Sequence, residues 1–351
     1  MPWRPAFVAA AAGAALVPLP AAIVERLYST RLYLGIQPLL TSLSNLAPFA
    51  LFDGLVLVAA VSWIALSTRD VRSVKGRLRA LAVIAWRAIV WSAALYLVFL
   101  FTWGLNYRRV RLVDALALDP ARITALAVKD ASFVTAGRLN ALHDRGHAGG
   151  GSDAQAIDQQ LAAALEHALA DTGRPQAVVP GRAKRTIFDW YFRRAAVDGM
   201  TDPFFLEILV SSDLLPFERP FVTAHEWSHL AGVADEGEAN FVGWLACLRA
   251  SPAAQYSGWL FMFSELARVS SGTDRAATRA ALAAGPRDDL QAIRDRVARH
   301  VSPRLSAAGW RVYDSYLKAN CVEAGAASYG EVVRLALGTR LASGGSPFEV
   351  K

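Results

Sequence analysis

Three long apolar stretches in the first 107 residues constrain the fold of this chain more than any other feature. From Pro5 to Val24 there is no charged residue, and Ala, Val and Leu dominate. About twenty helical residues at about 1.5 Å each match a hydrocarbon core of about 30 Å. The second stretch, Phe49 to Leu66, carries only Asp53, and the third, Ala80 to Tyr107, only Arg87. This pattern predicts a membrane region over residues 1–110 with about three transmembrane helices. Pro18 and Pro20 should kink the end of the first. Met1 to Arg4 gives that stretch the short basic start of a signal peptide, but no tidy cleavage site follows, which favours an uncleaved helix. Trp86, Trp91, Trp103 and Tyr107 sit where lipid headgroups would meet the third span, and Arg87 is placed to snorkel toward the nearer interface.

The loops between these stretches set an expected orientation. Arg69, Arg72, Lys75, Arg77 and Arg79 crowd one loop against a single Asp70, whereas the preceding loop sets Arg26 and Arg31 against Glu25. The positive-inside rule puts the Arg69 to Arg79 loop in the cytoplasm and everything after Tyr107 outside, although Arg108, Arg109 and Arg111 pull the other way. The expected location is the inner membrane, multi-pass, with an extracytoplasmic C-terminal domain. The net charge of +7 is concentrated at membrane-flanking loops and accompanies no recognition motif, which excludes nucleic acid as the partner. A chain 54% hydrophobic and 19% charged is not disordered. Its two cysteines cannot build a disulfide scaffold or a Cys-based zinc finger. Cys247 and Cys321 read either as a pair formed in an oxidising compartment or as two buried thiols.

Residues 111–351 are enough for one good-sized domain with its own core. Ala121 to Leu142 and Ala154 to Ala170 read as Ala-rich helices, the first opened by Asp119-Pro120. His147 to Asp153 and Gly173 to Arg182 read as breaks. Phe204 to Val210 is strand-like, bounded by Asp202-Pro203 and Ser211-Ser212-Asp213. A helical pattern then runs through Leu230, another begins near Glu236, and residues 253–270, 275–300 and 309–319 also read as helices. His143, His147, His167 and His300 are scattered and read as incidental.

The chemistry is concentrated in His225-Glu226-Trp227-Ser228-His229, an H-E-x-x-H pattern. Two histidines four apart on a helix face one way, one turn up, and offer two imidazole nitrogens to one ion. Glu226 lies beside the first, where its carboxylate can take a proton from zinc-activated water. The apolar neighbours Phe221, Val222, Ala224, Trp227, Leu230 and Ala231 mark a helix buried beneath a cleft rather than one with decorative surface histidines. A catalytic zinc takes three protein ligands and keeps one position open, so a third ligand is needed. Asp235, Glu236 and Glu238 all follow within reach, past a turn at Gly232. Glu236 is favoured because Asn240 would stack on its face one turn on and support a ligand histidine, while Glu238 points elsewhere. Glu238 and Asp235 remain open.

This arrangement resembles the glutamate-type zinc metallopeptidases, the gluzincins, which carry H-E-x-x-H on one helix and a glutamate ligand on a following one. More closely, the chain is similar to an uncharacterised bacterial family of membrane proteins with a hydrophobic N-terminal region and a zincin-like C-terminal domain. The resemblance is carried by Trp103-Gly104-Leu105-Asn106-Tyr107-Arg108, by Pro216 to Asn240 with its E-x-E-A-N, and by Ser328-Tyr329-Gly330. It implies a mainly α fold: transmembrane helices, then a zincin-like α+β metallopeptidase domain with a small sheet, over residues 111–351. It also implies Zn2+ held by His225, His229 and Glu236, with Glu226 as general base. Phe204 to Val210 could then be an edge strand that pairs with an extended peptide or a plain core strand, and Tyr329 could donate to a developing oxyanion.

The function expected is therefore a membrane-anchored zinc peptidase acting on a peptide or protein of the cell envelope, with the lipid bilayer as its other partner. The alternative is a non-catalytic membrane receptor or assembly factor that retains the fold around a structural metal. Intact Glu226 argues for the enzyme, because a structural site has no use for a base there.

Overall fold

The computed structural model describes residues 3–17, 19–116, 118–148, 158–320, 331–341, 345–346 and 348. The chain is mainly helical with one small sheet. It begins with helices α1 (Trp3–Leu16) and α2 (Ala21–Val24), a π-helical segment (Glu25–Leu32), α3 (Tyr33–Asn45), α4 (Leu51–Ser73) and α5 (Arg77–Thr102). After α6 (Leu112–Ala115) come α7 (Ala125–His147) and α8 (Gln159–Asp171). Strand β1 (Ala183–Lys184), helix α9 (Asp189–Ala195) and strands β2 (Gly199–Asp202) and β3 (Glu207–Val210) follow. The rest is helical: α10 (Arg219–Leu230), α11 (Glu236–Leu248), α12 (Pro252–Val269), α13 (Gly272–Ala280), α14 (Ala284–His300), α15 (Pro303–Ala319) and α16 (Glu331–Gly338).

Helices α4 and α5 are each long and apolar enough to cross a membrane, and most of their apolar side chains stay outside the core, with Phe99 and Leu100 at the end of α5 inside it. Val58, Val61, Ile64, Leu81 and Ile89 are all exposed. Such surface is stable facing lipid and costly facing water. The expected first span is not one helix. Helix α1 has 14 residues, a rise of about 21 Å, short of the hydrocarbon thickness of about 30 Å. Pro20, which lacks an N–H, stands at the N-cap of α2, and the chain bends sharply between the two helices. Pro18 lies outside the described residues. Arg87 does not snorkel: it pairs with Asp70 of α4 and lies over the Trp63 ring, which compensates its charge within the α4–α5 hairpin.

Trp103 is buried and Tyr107 packs on it edge-on, so neither belongs to a headgroup belt. Helix α5 ends at Thr102 and a 3-10 turn, Gly104–Arg108, carries both rings into the core. Tyr28 and Tyr33, between the apolar stretches, also belong to that core, and buried polar side chains of the same segment bond to the domain. Thr41 Oγ1 donates to the carbonyl of Leu206 (2.8 Å), and Gln37 Nε2 to that of Val179 (2.8 Å). The Lys184 ammonium is buried against Glu207 (2.7 Å) and the Ser44 carbonyl (2.7 Å).

The sheet order is β1-β3-β2, with β1 parallel to β3 and β2 antiparallel to it. All four residues of β3 are buried. The edge-strand expectation for Phe204 to Val210 is thus overturned: β3 is central, both its edges are paired, and Phe204 to Leu206 form a turn. Asp202 builds that turn by accepting from the N–H groups of Phe204 (3.2 Å) and Phe205 (2.8 Å). Among the described residues the outer edges belong to β1 and β2.

Other boundaries differ for identifiable reasons. Asp119-Pro120 opens only a 3-10 turn, and α7 starts after Thr124, whose hydroxyl accepts from the Ala127 N–H (3.1 Å). The helix expected over 275–300 is two, α13 and α14, because Pro286 fits the first turn of a helix and not an interior. Helix α8 is capped at Asp158 by bonds from Gln160 and Leu161; residues 149–157 lie outside the described residues.

Candidate metal centre

Helix α10 presents the two histidines and α11 supplies the acid. Helix α11 is buried along its whole length, as its nearly continuous apolar sequence requires. It crosses α10 closely at Gly243, where a Cβ would stand 2.9 Å from the backbone nitrogen of His225. Between the helices Gly232 takes φ +76° and reverses the chain, its N–H donating to the His229 carbonyl (2.9 Å). Asp235 caps α11 by accepting from Gly237 (2.9 Å) and Glu238 (3.1 Å), and the positive end of the helix favours the acids there.

The three third-ligand candidates separate cleanly. His225 Nε2 and His229 Nε2 are 3.1 Å apart, and Glu236 Oε2 lies 3.3 Å from the first and 3.4 Å from the second. Asp235 is used as the cap, and Glu238 turns away to accept from the Leu112 N–H (2.5 Å) beside Arg174. Donor atoms about 2.1 Å from a tetrahedral ion stand about 3.4 Å from one another, so the three form one face of such a polyhedron.

The tautomer of His229 follows from its other nitrogen. Nδ1 lies 2.7 Å from the Val233 carbonyl; a carbonyl only accepts, so Nδ1 carries a proton and donates. Nε2 is then the nitrogen available to a cation. This carbonyl does for His229 the work expected of Asn240. His225 Nδ1 and Glu236 Oε2 are buried without a hydrogen-bond partner among the described residues. A buried carboxylate oxygen with no hydrogen-bond partner beside two imidazole nitrogens is a donor set suited to a cation. Burial pulls the His229 pKa down, but the Glu236 carboxylate outweighs it and holds the imidazole up at about 9. Burial raises Glu236 as well, and the two histidines reverse this and hold it well below the ordinary carboxylate range. Protons stand where a divalent cation would fit.

Glu226 faces the sheet from α10. Thr201 of the edge strand β2 shares its hydroxyl between Glu226 Oε2 (2.8 Å) and the Glu226 carbonyl (3.0 Å). Burial, the largest influence, pushes the Glu226 carboxyl above its ordinary value. Tyr313 of α15 donates its hydroxyl to Glu236 Oε1 and stacks on Tyr316, which packs edge-on against Tyr107. Thr201 and Tyr313 were not legible in the sequence, since neither lies near the motif.

The last carbonyls of α10 and its turn each accept a side-chain donor from elsewhere, that of His229 in addition to the Gly232 N–H. Trp103 Nε1 donates to His229 (2.9 Å), Tyr33 to Leu230 (2.8 Å), Gln176 to Ala231 (2.5 Å) and Arg109 to Gly232 (2.9 Å). These groups have no partner within the helix, and buried they would be costly unpaired. Arg109 is itself held by Glu25 (2.6 Å). Three of the four donors therefore come from the segments that flank α4 and α5.

A family profile described as "Protein of unknown function (DUF3810)" matches residues 28–337. The chain belongs to the DUF3810 family. No curated protein and no solved structure matches it. The DUF3810 match opens within the π-helical segment and closes within α16, so it takes in α4, α5, the capping donors and the His225–Glu236 cluster as one unit. Tyr329 and Cys321 lie outside the described residues, and Cys247 is a fully buried thiol on α11.

Proposed function

We propose that this DUF3810 protein is a membrane-anchored, zinc-dependent peptidase with a zincin-like C-terminal domain. The observation that supports this most is the convergence of His225 Nε2, His229 Nε2 and an otherwise unpartnered Glu236 Oε2 beside a buried fourth group, Glu226. His225, His229 and Glu236 would hold Zn2+, which suits two imidazoles and one carboxylate. When bound, the ion supplies Lewis-acid polarisation of the scissile carbonyl and activation of water at neutral pH. Glu226 takes the proton of the attacking water on its carboxylate and passes it to the leaving amine, and Thr201 holds the carboxylate in orientation. The free edge of β2, which carries Thr201, is the strand on which an extended peptide would pair through main-chain bonds. The positive residues Arg69 to Arg79, at the turn where α4 meets α5, favour an inner-membrane protein whose site lies outside the cytoplasm, with envelope peptides or proteins as substrate.

A second reading draws on Tyr313. Its hydroxyl on Glu236 occupies the carboxylate from the side opposite the histidines, as in a non-catalytic receptor or assembly factor whose ion is only structural. Metal content and a peptide-cleavage screen on purified wild type and Glu226→Gln separate the two. A peptidase gives metal-replete Glu226→Gln without turnover; a structural site gives metal in both proteins and turnover in neither.

A further inference from the structure

The four remaining histidines are not all scattered. His143 and His147 lie one turn apart on α7, with ring centroids 4.7 Å apart. Asp289 of α14 meets them both. Its Oδ2 stands 2.8 Å from His147 Nε2 and 3.5 Å from His143 Nε2. Tyr256 of α12 donates its hydroxyl to the same oxygen, so three helices converge on one carboxylate.

The tautomer of His143 is informative. Its Nδ1 lies 2.9 Å from Asp144 Oδ1, and the ionised carboxylate of a fully exposed aspartate only accepts. Nδ1 is therefore the donor, and in the neutral ring Nε2 presents a lone pair to Asp289 Oδ2 across 3.5 Å. Two lone pairs facing each other repel unless a proton or a metal cation lies between them. A carboxylate behind one nitrogen of an imidazole whose other nitrogen faces a second acid is the outer-shell arrangement of metal-binding histidines.

We propose that His143, His147 and Asp289 form a second divalent-metal site, separate from the His225 cluster and independent of any peptidase activity. Two imidazoles and one carboxylate select a borderline transition ion such as Zn2+ over Mg2+ or Ca2+. The 3.5 Å spacing already suits a tetrahedral edge. The 2.8 Å spacing opens when His147, whose side chain is 37% exposed at the end of α7, backs away by roughly half an ångström. Partial exposure of both histidines leaves room for water to complete the shell. The ion acts as a clip. It ties α14 to α7, and α14 in turn carries the buried Arg296, which pairs with Glu218 at the start of α10 (2.8 Å) and with Asp198 (3.1 Å).

The test is Zn2+ binding to the full-length protein in detergent, read by calorimetry and by thermal unfolding. With the first centre removed by His225→Ala and His229→Ala, the protein is expected to bind one equivalent of Zn2+ and to unfold at a higher temperature with it. Adding His147→Gln or Asp289→Asn should weaken that binding by more than about tenfold, the least that loss of even an outer-shell partner costs. Asp289→Asn keeps the shape of the side chain, so a loss confined to Zn2+ binding is not a folding defect. Absence of Zn2+ binding in the His225→Ala, His229→Ala protein, or binding undiminished by Asp289→Asn, overturns the proposal. Should the double alanine variant not fold, wild type is compared with Asp289→Asn alone: two equivalents falling to one supports the site, and equal stoichiometry sinks it.

Discussion

The indole N–H of Trp103, the first residue beyond the second apolar helix, donates across 2.9 Å to the main-chain carbonyl of His229. Its ring also lies edge-on to the His229 imidazole, 6.1 Å between centroids. The end of a membrane-type helix is thereby part of the candidate centre itself. Trp103→Phe keeps the ring and removes one of the two donors to this buried carbonyl, which retains the Gly232 N–H. Stability should fall by about 0.5–1.5 kcal/mol with metal still bound, measured by thermal unfolding in detergent beside metal analysis. Wild-type stability in this variant would show that the bond carries no weight.

Glu226→Gln preserves the shape of the side chain and its contact with Thr201 but cannot accept a proton. Hydrolysis should drop by about 10²- to 10⁴-fold at unchanged metal content. His225→Ala or His229→Ala should instead lose the ion. Equal cleavage by Glu226→Gln and wild type rules out Glu226 as the base.

Gly243→Ala places a methyl group 2.9 Å from the backbone nitrogen of His225. Helix α11 is buried throughout and α10 over most of its second half, so neither can yield without moving His225 or Glu236. The expected cost is about 1–3 kcal/mol of overpacking, and metal affinity should fall with it, because His225 is the residue displaced. A titration showing full affinity would mean that α10 and α11 can slide apart freely.

Lys184 and Glu207 form an ion pair that is 2% and 1% exposed, with Ser44 as the third member. Lys184→Met strands the carboxylate. The loss should be about 3–5 kcal/mol, read from chemical denaturation. The double variant Lys184→Met, Glu207→Leu should recover much of it, since no charge is then left buried alone.

Asp202 supplies a pH dependence whose sign can be worked out. Burial raises its pKa from 3.8 to about 7, with the Phe204 and Phe205 N–H groups opposing. Between about pH 4 and pH 7 the native state keeps a proton that the unfolded chain has lost. The contribution of Asp202 therefore falls as pH rises through this window and is level above it. Asp202→Asn should flatten that part of the stability profile; an unchanged slope would assign it to other groups.

Short-range features were legible along the chain because they depend on neighbours. The i, i+4 spacing puts His225 and His229 on one face whatever surrounds them, Gly232 has to turn the chain, and long apolar runs at α4 and α5, each with a single charge, need no partner to be recognised. The sequence also favoured Glu236 over Glu238 and Asp235 from the E-x-x-x-N spacing, and Glu236 is the acid that lies beside both imidazoles. Convergence over long separations was not legible. Nothing local to Trp103, Tyr33, Gln176 or Arg109 marks them as donors to one helix end, nor joins Tyr313 to Glu236, nor brings Asp289 to His143 and His147. Nor does composition tell a central strand from an edge strand, because that is decided by which segments pair on either side of β3. Local covalent geometry determined the faces of the helices; only packing of the whole chain, which must satisfy every buried carbonyl and carboxylate, decided which residues meet.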